Sequence, residues 1–279
     1  MIDLSVIIVS WNVKEKLQGN LTSIFESRGN FSMEVFVVDN NSRDETVEMV
    51  NKKFEQVNLI ANKENLGFAK ANNQAIEQAR GRFILLLNPD MRLFPETLKN
   101  MISFLDSRPE VGVAGCRLLD EKGEVVPHVR RFPRLSDQLA IVLKIPHFLP
   151  WVLNGYLQKN FDYSREAEVD SIRGSFFMIR KKTLEDLGKL DERYFIWFEE
   201  VDYCLRSWRG NWKVVYTPQA SCLDYVGRSF SLLSKGVTQR YFQDSMLKFF
   251  RKWHPWWKYL VLWLAWKPVL FFFGVCRRS

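Results

Sequence analysis

Acidic residues are missing from the last 35 positions: from Ser245 onward there are seven Lys or Arg and no Asp or Glu. That stretch carries +7 of the formal +8, so the body before it is nearly neutral. Basic charge confined to one end argues against a surface built for duplex nucleic acid, and no nucleic-acid partner is expected. Cysteine is scarce: Cys116, Cys204, Cys222 and Cys276 stand far apart with no CxxC pair, which argues against a zinc site or a disulfide framework and for a reducing compartment. The three histidines, His128, His147 and His254, fall in no motif. The amino terminus lacks a charged n-region, and Leu4 to Val9 reads as a strand, so no signal peptide is expected and the body belongs in the cytoplasm. An uninterrupted apolar run of roughly 20 residues, which a spanning helix needs, is also missing. Tyr259 to Cys276 comes nearest, and Lys267-Pro268 breaks it.

What is present suffices for one large domain, or one domain with an appendage: 279 residues, 47% of them hydrophobic. The stretch that organises the chain is Arg82 to Asp90. Phe83 to Leu87 is an unbroken apolar run, short enough for a strand buried on both faces, and it stops at Asn88-Pro89-Asp90. Strands at Leu4–Val9, Val35–Val38 and Val57–Ala61 precede it, alternating with helices at Lys14–Glu26, from a capping box at Ser42-Arg43-Asp44-Glu45 to about Phe54, and at Phe68–Arg80. This alternation predicts an α/β fold with a mostly parallel central sheet flanked by helices. Ser10, Asp39, Asn65, Asn88 and Asp90 all fall at or just past strand ends, along the rim where open α/β sheets bind ligands. Later elements are a helix at Pro95–Ser107, strands at Val111–Leu118 and Val214–Tyr216, the second ended by Pro218, and an irregular insertion over 127–165, expected to be mobile and to lie on the acceptor side.

A second chemical stretch is Tyr194 to Arg206, where Glu199, Glu200 and Asp202 follow an aromatic run. Two roles fit. Carboxylates in the first turn of a helix suit its dipole; a carboxylate beside an aromatic platform can also act as a general base on a sugar hydroxyl.

Together these residues resemble the inverting glycosyltransferases of family 2, with the GT-A fold, and most closely the rhamnosyltransferase-like branch. The resemblance spans about residues 3 to 230. Its landmarks are Val9-Ser10-Trp11-Asn12, Val37-Val38-Asp39-Asn40-Asn41-Ser42, Asn65-Leu66-Gly67-Phe68-Ala69 with Asn72-Asn73, Leu86-Leu87-Asn88-Pro89-Asp90 and Phe198-Glu199-Glu200-Val201-Asp202. The resemblance implies a nucleotide site at Ser10, Asn12, Asp39, Asn41, Asn65, Gly67, Asn72 and Asn88, with Asp39 on the base or ribose edge. It implies Mg²⁺ or Mn²⁺ at Asp90, holding the donor diphosphate. Glu200 takes the place of the usual catalytic base and Asp202 is the second candidate. Where the family often carries a metal-binding His, this chain has Asp224, which fits either an oxygen ligand for a hard cation or a weakened or absent metal requirement.

The tail interleaves Trp253, Trp256, Trp257, Trp263 and Trp266 with its basic residues, a composition for a lipid interface with anionic headgroups. The expected division is therefore a catalytic domain at 1–235 and a membrane-associating helical tail at 236–279, seated on the cytoplasmic face of the membrane. The expected donor is a nucleotide-diphospho-sugar, with dTDP-rhamnose as a candidate, and the expected acceptor a lipid-linked saccharide. Two rivals remain: a degenerate, nucleotide-holding scaffold subunit, which the residues at 200 and 224 favour, and a nucleotidyltransferase. Against the latter, no glycine-rich phosphate loop follows the first strand.

Overall fold

The computed structural model describes residues 1–225 and 235–275, with the side chains among them except those of 235 and 268–275. Gly227, Arg228, Ser229 and Cys276 lie outside the described residues. Leu4–Ser10 (β1) pairs in parallel with Met33–Asp39 (β2), Asn58–Ala61 (β3) adds in parallel beyond β2, and Phe83–Leu87 (β4) runs parallel along the other edge of β1. Every residue of β4 is buried, as an apolar run covered on both faces requires. Lys14–Phe25 (α1), Thr46–Lys53 (α2) and Phe68–Ile76 (α3) connect these strands. The chain steps from β1 to β2 and β3 in one direction, then returns to place β4 on the opposite side of β1. The switch point, where an open sheet splays apart into a crevice, falls between β1 and β4.

Beyond β4 come Met91–Leu93 (β5), Thr97–Asp106 (α4), Val111–Leu119 (β6), Leu135–Val142 (α5), Ala167–Glu168 (β7), Phe176–Arg180 (β8), Lys181–Leu187 (α6), Glu199–Arg209 (α7), Lys213–Asp224 (β9), Lys235–Trp253 (α8) and Trp256–Val275 (α9). The sheet order is β3-β2-β1-β4-β8-β6-β9-β5, with β7 on β9. The helix-flanked α/β sheet is as the sequence predicts, but its pairing is mixed. β8 runs antiparallel to both β4 and β6, and β5 and β7 run antiparallel to β9. The reason is the connection: β8 follows the long 120–175 excursion, which imposes none of the direction that a βαβ crossover does.

Two local expectations are corrected. Pro218 does not end its strand. The register between β6 and β9 jumps from Cys116↔Thr217 to Arg117↔Ser221, and this bulge accommodates the proline, whose carbonyl accepts from Arg117 Nη2 at 2.9 Å. β9 therefore runs on to Asp224, where β5 joins it with Met91 opposite Asp224. Nor does Ser42 open a capping box. Its hydroxyl accepts the Asn12 amide at 2.9 Å, Asn12 Oδ1 accepts the Arg43 amide at 2.7 Å, and Asp44 accepts the Lys14 amide at 2.9 Å. These polar groups clasp two neighbouring rim loops, and α2 starts only after Glu45, at φ +60°.

α8 lies past the expected boundary at 235, yet it packs into the body. Met246, Phe249 and Phe250 are buried with Tyr194, Phe198 and Val142, and Leu262 and Trp266 of α9 join the same cluster. Each such fully buried side chain contributes about 1.5–3 kcal/mol. Asp202 anchors the contact from α7. It is wholly buried, with Oδ2 3.0 Å from Arg206 Nε and Oδ1 2.7 Å from both Lys252 Nζ and Trp253 Nε1. This is a correction for Asp202 as an alternative base: its oxygens are committed to two cations and an indole. We predict that Asp202→Asn, which removes the buried charge facing Arg206 and Lys252 while Asp191 still pairs Lys252, destabilises the protein by about 1–3 kcal/mol. Chemical denaturation measures this, and an unchanged midpoint would refute the docking role.

Candidate active site

A cavity of about 370 Å³ opens at the switch point. Its walls are Val9, Ser10 and Trp11 at the end of β1, Asn40 after β2, Asn65, Gly67 and Phe68 at the start of α3, Asn88 and Pro89 after β4, and Phe195, Ile196 and Tyr241 from later in the chain. The rim rule thus brings together Ser10, Asn65, Gly67 and Asn88. Ser10 and Asp39 are register partners on β1 and β2. Ser10 Oγ and Asp39 Oδ1 are buried without a hydrogen-bond partner among the described residues, while Asp39 Oδ2 accepts the Ser42 amide at 2.9 Å. Such orphaned atoms cost about 1–3 kcal/mol each until a ligand or water satisfies them.

Gly67 sits at φ +81°, ψ −179°, a region that side chains other than glycine's essentially do not enter. A Cβ there would meet the Phe195 carbonyl oxygen at 2.4 Å. That closeness lets Phe195 O accept the Phe68 amide at 2.7 Å, and Phe195 in turn stacks on Tyr241 of α8 with ring centroids 4.5 Å apart. Asn65 Oδ1 holds the Gly67 amide at 2.9 Å, and Asn40 Nδ2 donates to the Gly67 carbonyl at 3.1 Å. Asn40 and Tyr241 are wall residues that the sequence reading missed. Asn40 stood inside a quoted motif, whereas nothing local marked Tyr241.

Asn12, Asn41, Asp39 and Asn72 do not line this cavity. Asn12 clasps the neighbouring loop, and Asn72 is buried inside α3, donating to the Phe68 carbonyl at 2.9 Å. Asn41 takes a left-handed conformation, φ +65°, in the turn after β2.

A second cavity, of about 230 Å³, is walled by Glu200 and Val201 at the start of α7, by Trp197, Phe198 and Phe242, and by His128, Arg130, Tyr156, Ser171, Ile172 and Arg173. Burial pushes the Glu200 carboxyl above the ordinary carboxylate range, opposed by the charge of Arg173. Glu200 Oε2 has no hydrogen-bond partner among the described residues. Burial and the neighbouring Glu200 charge push Glu199 well above that range. His128 is pushed down to about 4 by burial, with Arg130 and Arg173 adding to the shift, so it is neutral. Arg173 also reaches the far side of the site, where its Nη1 lies 3.0 Å from Asp224 Oδ2. Its neighbours Gly174-Ser175 interrupt the otherwise apolar run from Ile172 to Ile179, the one local signal at this place in the sequence.

The β5–β9 pairing brings Asp90 and Asp224 together, both buried. Burial raises the Asp224 carboxyl, Arg173 opposes the rise, and the nearby Asp90 charge adds to it. Among the described residues no cluster of three or more His, Cys, Asp or Glu makes a complete metal cage. Two carboxylates nonetheless fit a hard divalent cation such as Mg²⁺, which takes one or two of them with phosphate oxygens and water. The donor set is all oxygen, and a cation would relieve the repulsion between the pair.

The helix-flanked sheet with its switch-point crevice has the fold of the nucleotide-diphospho-sugar transferases. Residues 5–188 match the family model for glycosyl transferase family 2, and the chain belongs to that family of sugar-transferring enzymes. It is 27% identical over 208 residues to the N-acetylglucosaminyl-diphospho-decaprenol L-rhamnosyltransferase of Mycobacterium tuberculosis, covering 70% of this chain and 67% of that protein. It is also 27% identical over 175 residues to rhamnosyltransferase WbbL of Escherichia coli, covering 59% and 64%. The fold is shared with the mannosyltransferase PcManGT from Pyrobaculum calidifontis, solved with GDP-Man and Mn²⁺, at a TM-score of 0.61 and 19% identity over 96% of this chain and 67% of that one.

The geometry at Gly67 yields a direct test. Gly67→Ala must distort the Asn65–Phe68 turn or displace the Phe195 backbone, and it should lower stability by about 1–3 kcal/mol. Thermal unfolding measures this, and an unchanged midpoint would show that the contact is slack.

Proposed function

We propose that this glycosyltransferase moves a sugar, with inversion, from a nucleotide-diphospho-sugar to a lipid-linked saccharide at the cytoplasmic face of a membrane, in cell-surface glycan synthesis. The observation that carries the reading is Glu200. It is a buried carboxylate with one unpartnered oxygen, in the wall of a cavity that shares the 195–198 run and α8 with the crevice at the switch point. The crevice takes the nucleotide and the second cavity the acceptor. Ser10 receives the nucleoside, whose polar edge satisfies its orphaned oxygen, and its register partner Asp39 adjoins that wall on β2. Asn65, Gly67 and Asn88 form the walls, while Asn12, Asn41 and Asn72 support the turns behind them. Asp90 and Asp224 hold the divalent cation, which neutralises charge on the departing diphosphate when bound.

Glu200 Oε2 takes the proton from the acceptor hydroxyl as that oxygen attacks the anomeric carbon. The new carbon–oxygen bond forms on the face opposite the one that breaks, and the electron pair leaves with the nucleoside diphosphate. Burial makes Glu200 a stronger base than an exposed glutamate and brings its pKa nearer the working pH. Trp197 and Phe242 supply apolar faces for a sugar ring. Rhamnose carried on dTDP is the candidate donor, supported by the names of the two bacterial relatives. The first of those names also supports a lipid-linked acceptor.

The membrane seat rests on α9. No helix among the described residues is long and apolar enough to cross a membrane. α9 exposes Trp256, Trp257, Leu260, Val261, Trp263 and Leu264, while Lys258 and Lys267 sit over the Trp257 and Trp263 rings. That is the dress of a helix lying in the headgroup region. The Arg173–Asp224 ion pair would equally suit a scaffold that holds nucleotide without turnover, and one experiment separates the two readings.

Glu200→Gln should bind dTDP or UDP with Mg²⁺ as the unaltered chain does and lose transfer by about 10²–10⁴-fold. Full turnover in that variant would move the base elsewhere, and binding without turnover in both chains would favour the scaffold. The pH profile gives a second check. Glu200 acts deprotonated and its pKa is raised, so the acid limb of kcat/KM should lie above the ordinary glutamate value of about 4.3. A limb at or below that value would contradict the buried base.

A further inference from the structure

Exposed large apolar side chains cluster in two places that the transfer chemistry does not use. One is α9. The other is the stretch from Leu143 to Val152, where Phe148 is 82% and Trp151 64% exposed, with Leu143, Leu149 and Val152 at 40–56%. Five such residues within ten form a larger apolar patch than a solvent-facing loop carries without a partner. Pro146 and Pro150 lie in two short 3-10 turns, Ile145–His147 and Pro150–Leu153, whose fixed backbone displays the side chains instead of letting them fold inward.

We propose that residues 143–152 dip into an anionic lipid leaflet beside α9, bringing the mouth of the second cavity to the lipid surface. The inference rests on the reading of a lipid-linked acceptor. Three observations select a bilayer as the occupant. Residues 138–161 contain Lys144 and Lys159 and no Asp or Glu, so the segment attracts an anionic surface and repels a second copy of itself. The segment leaves α5 directly after Val142, which is buried against Leu262 and Trp266 of α9, so the two apolar surfaces spring from packed neighbours. Its far end reaches the acceptor cavity. Leu157 donates to the Leu153 carbonyl at 2.8 Å, Arg131 donates to the Tyr156 carbonyl at 3.0 Å, and Tyr156 lines the cavity with Glu200. A saccharide on a lipid anchor would then meet Glu200 without its apolar chain leaving the bilayer.

The test uses the full chain with Phe148→Cys and Cys276→Ser, labelled at residue 148 with an environment-sensitive nitrobenzoxadiazole dye. Cys116, Cys204 and Cys222 are buried and stay unlabelled. With phosphatidylglycerol vesicles the dye should shift to the blue and be quenched by acyl-chain spin labels. With phosphatidylcholine vesicles both effects should be weaker. In parallel, Phe148→Ser with Trp151→Ser should raise the lipid needed for half-maximal pelleting roughly tenfold or more, while leaving nucleoside diphosphate binding unchanged. A dye that stays in water while the chain pellets, or a double variant that pellets like the unaltered chain, would overturn the proposal. So would a dye that becomes shielded without lipid as the protein self-associates. None of these readouts requires sugar transfer, so a failure of the acceptor assignment is seen separately, as absence of turnover on a lipid-linked saccharide.

Discussion

The hydrogen bond from the Phe68 amide to the Phe195 carbonyl, 2.7 Å long and made possible by the bare Cα of Gly67, joins the two halves of this molecule. On one side of it stands α3, at whose start the switch-point crevice ends. On the other stands the run from Tyr194 to Asp202, which leads into α7 and carries Glu200. The same run is gripped from behind by α8, through Ser245 Oγ on the Ile196 carbonyl at 2.7 Å and through Lys252 and Trp253 on Asp202. Trp197 and Phe198 both take left-handed backbone conformations, φ +63° and +67°, a strain that persists because it is held from both sides. The two cavities therefore share a fixed wall, and the distance from the crevice to Glu200 is set by packing and hydrogen bonds instead of by a free loop.

What the sequence made legible follows from local physics. Phe83–Leu87 ends abruptly at Asn88-Pro89-Asp90, so a buried strand with a carboxylate at its rim could be read directly. The first-turn carboxylates of α7 and the strand-end residues Ser10 and Asn65 were visible for the same reason: each stands where an apolar period stops. The long-range part was not visible. β5 is three residues long and has no period to detect, yet its pairing with β9 brings Asp90 to Asp224. The bulge that carries β9 past Pro218 depends on Arg117, a hundred residues away in sequence. Ser42 had the right neighbours for a capping box, but the adjacent loop offered Asn12 as a partner, and tertiary contact overrode local propensity. By resemblance Asp202 stands as the second candidate base after Glu200, and only the fold shows its oxygens taken by Arg206, Lys252 and Trp253.

Composition does not reveal where the tail packs. Tryptophan and lysine dominate α9, but α8 before it is a structural wall, with Tyr241 in one cavity and Phe242 in the other. Residues next to each other on one helix thus line both cavities. The buried contacts of Met246, Phe249 and Phe250 tie that helix to the 194–198 run, so α9, the switch-point crevice and Glu200 belong to one packed unit. Burial then has two effects at once: it stabilises the union of α8 with the body, and it raises the carboxyl of Glu200 above the ordinary carboxylate range.

The most direct test of the account is the anomeric configuration of the product. The full chain would be incubated in vesicles with Mg²⁺, a lipid-linked saccharide and dTDP-, UDP- or GDP-linked sugars, and the linkage formed would be read by nuclear magnetic resonance. The account predicts transfer from one donor class, with every new linkage opposite in configuration to the donor. A product that retains the donor configuration, or nucleotide binding without product from any donor, would contradict it.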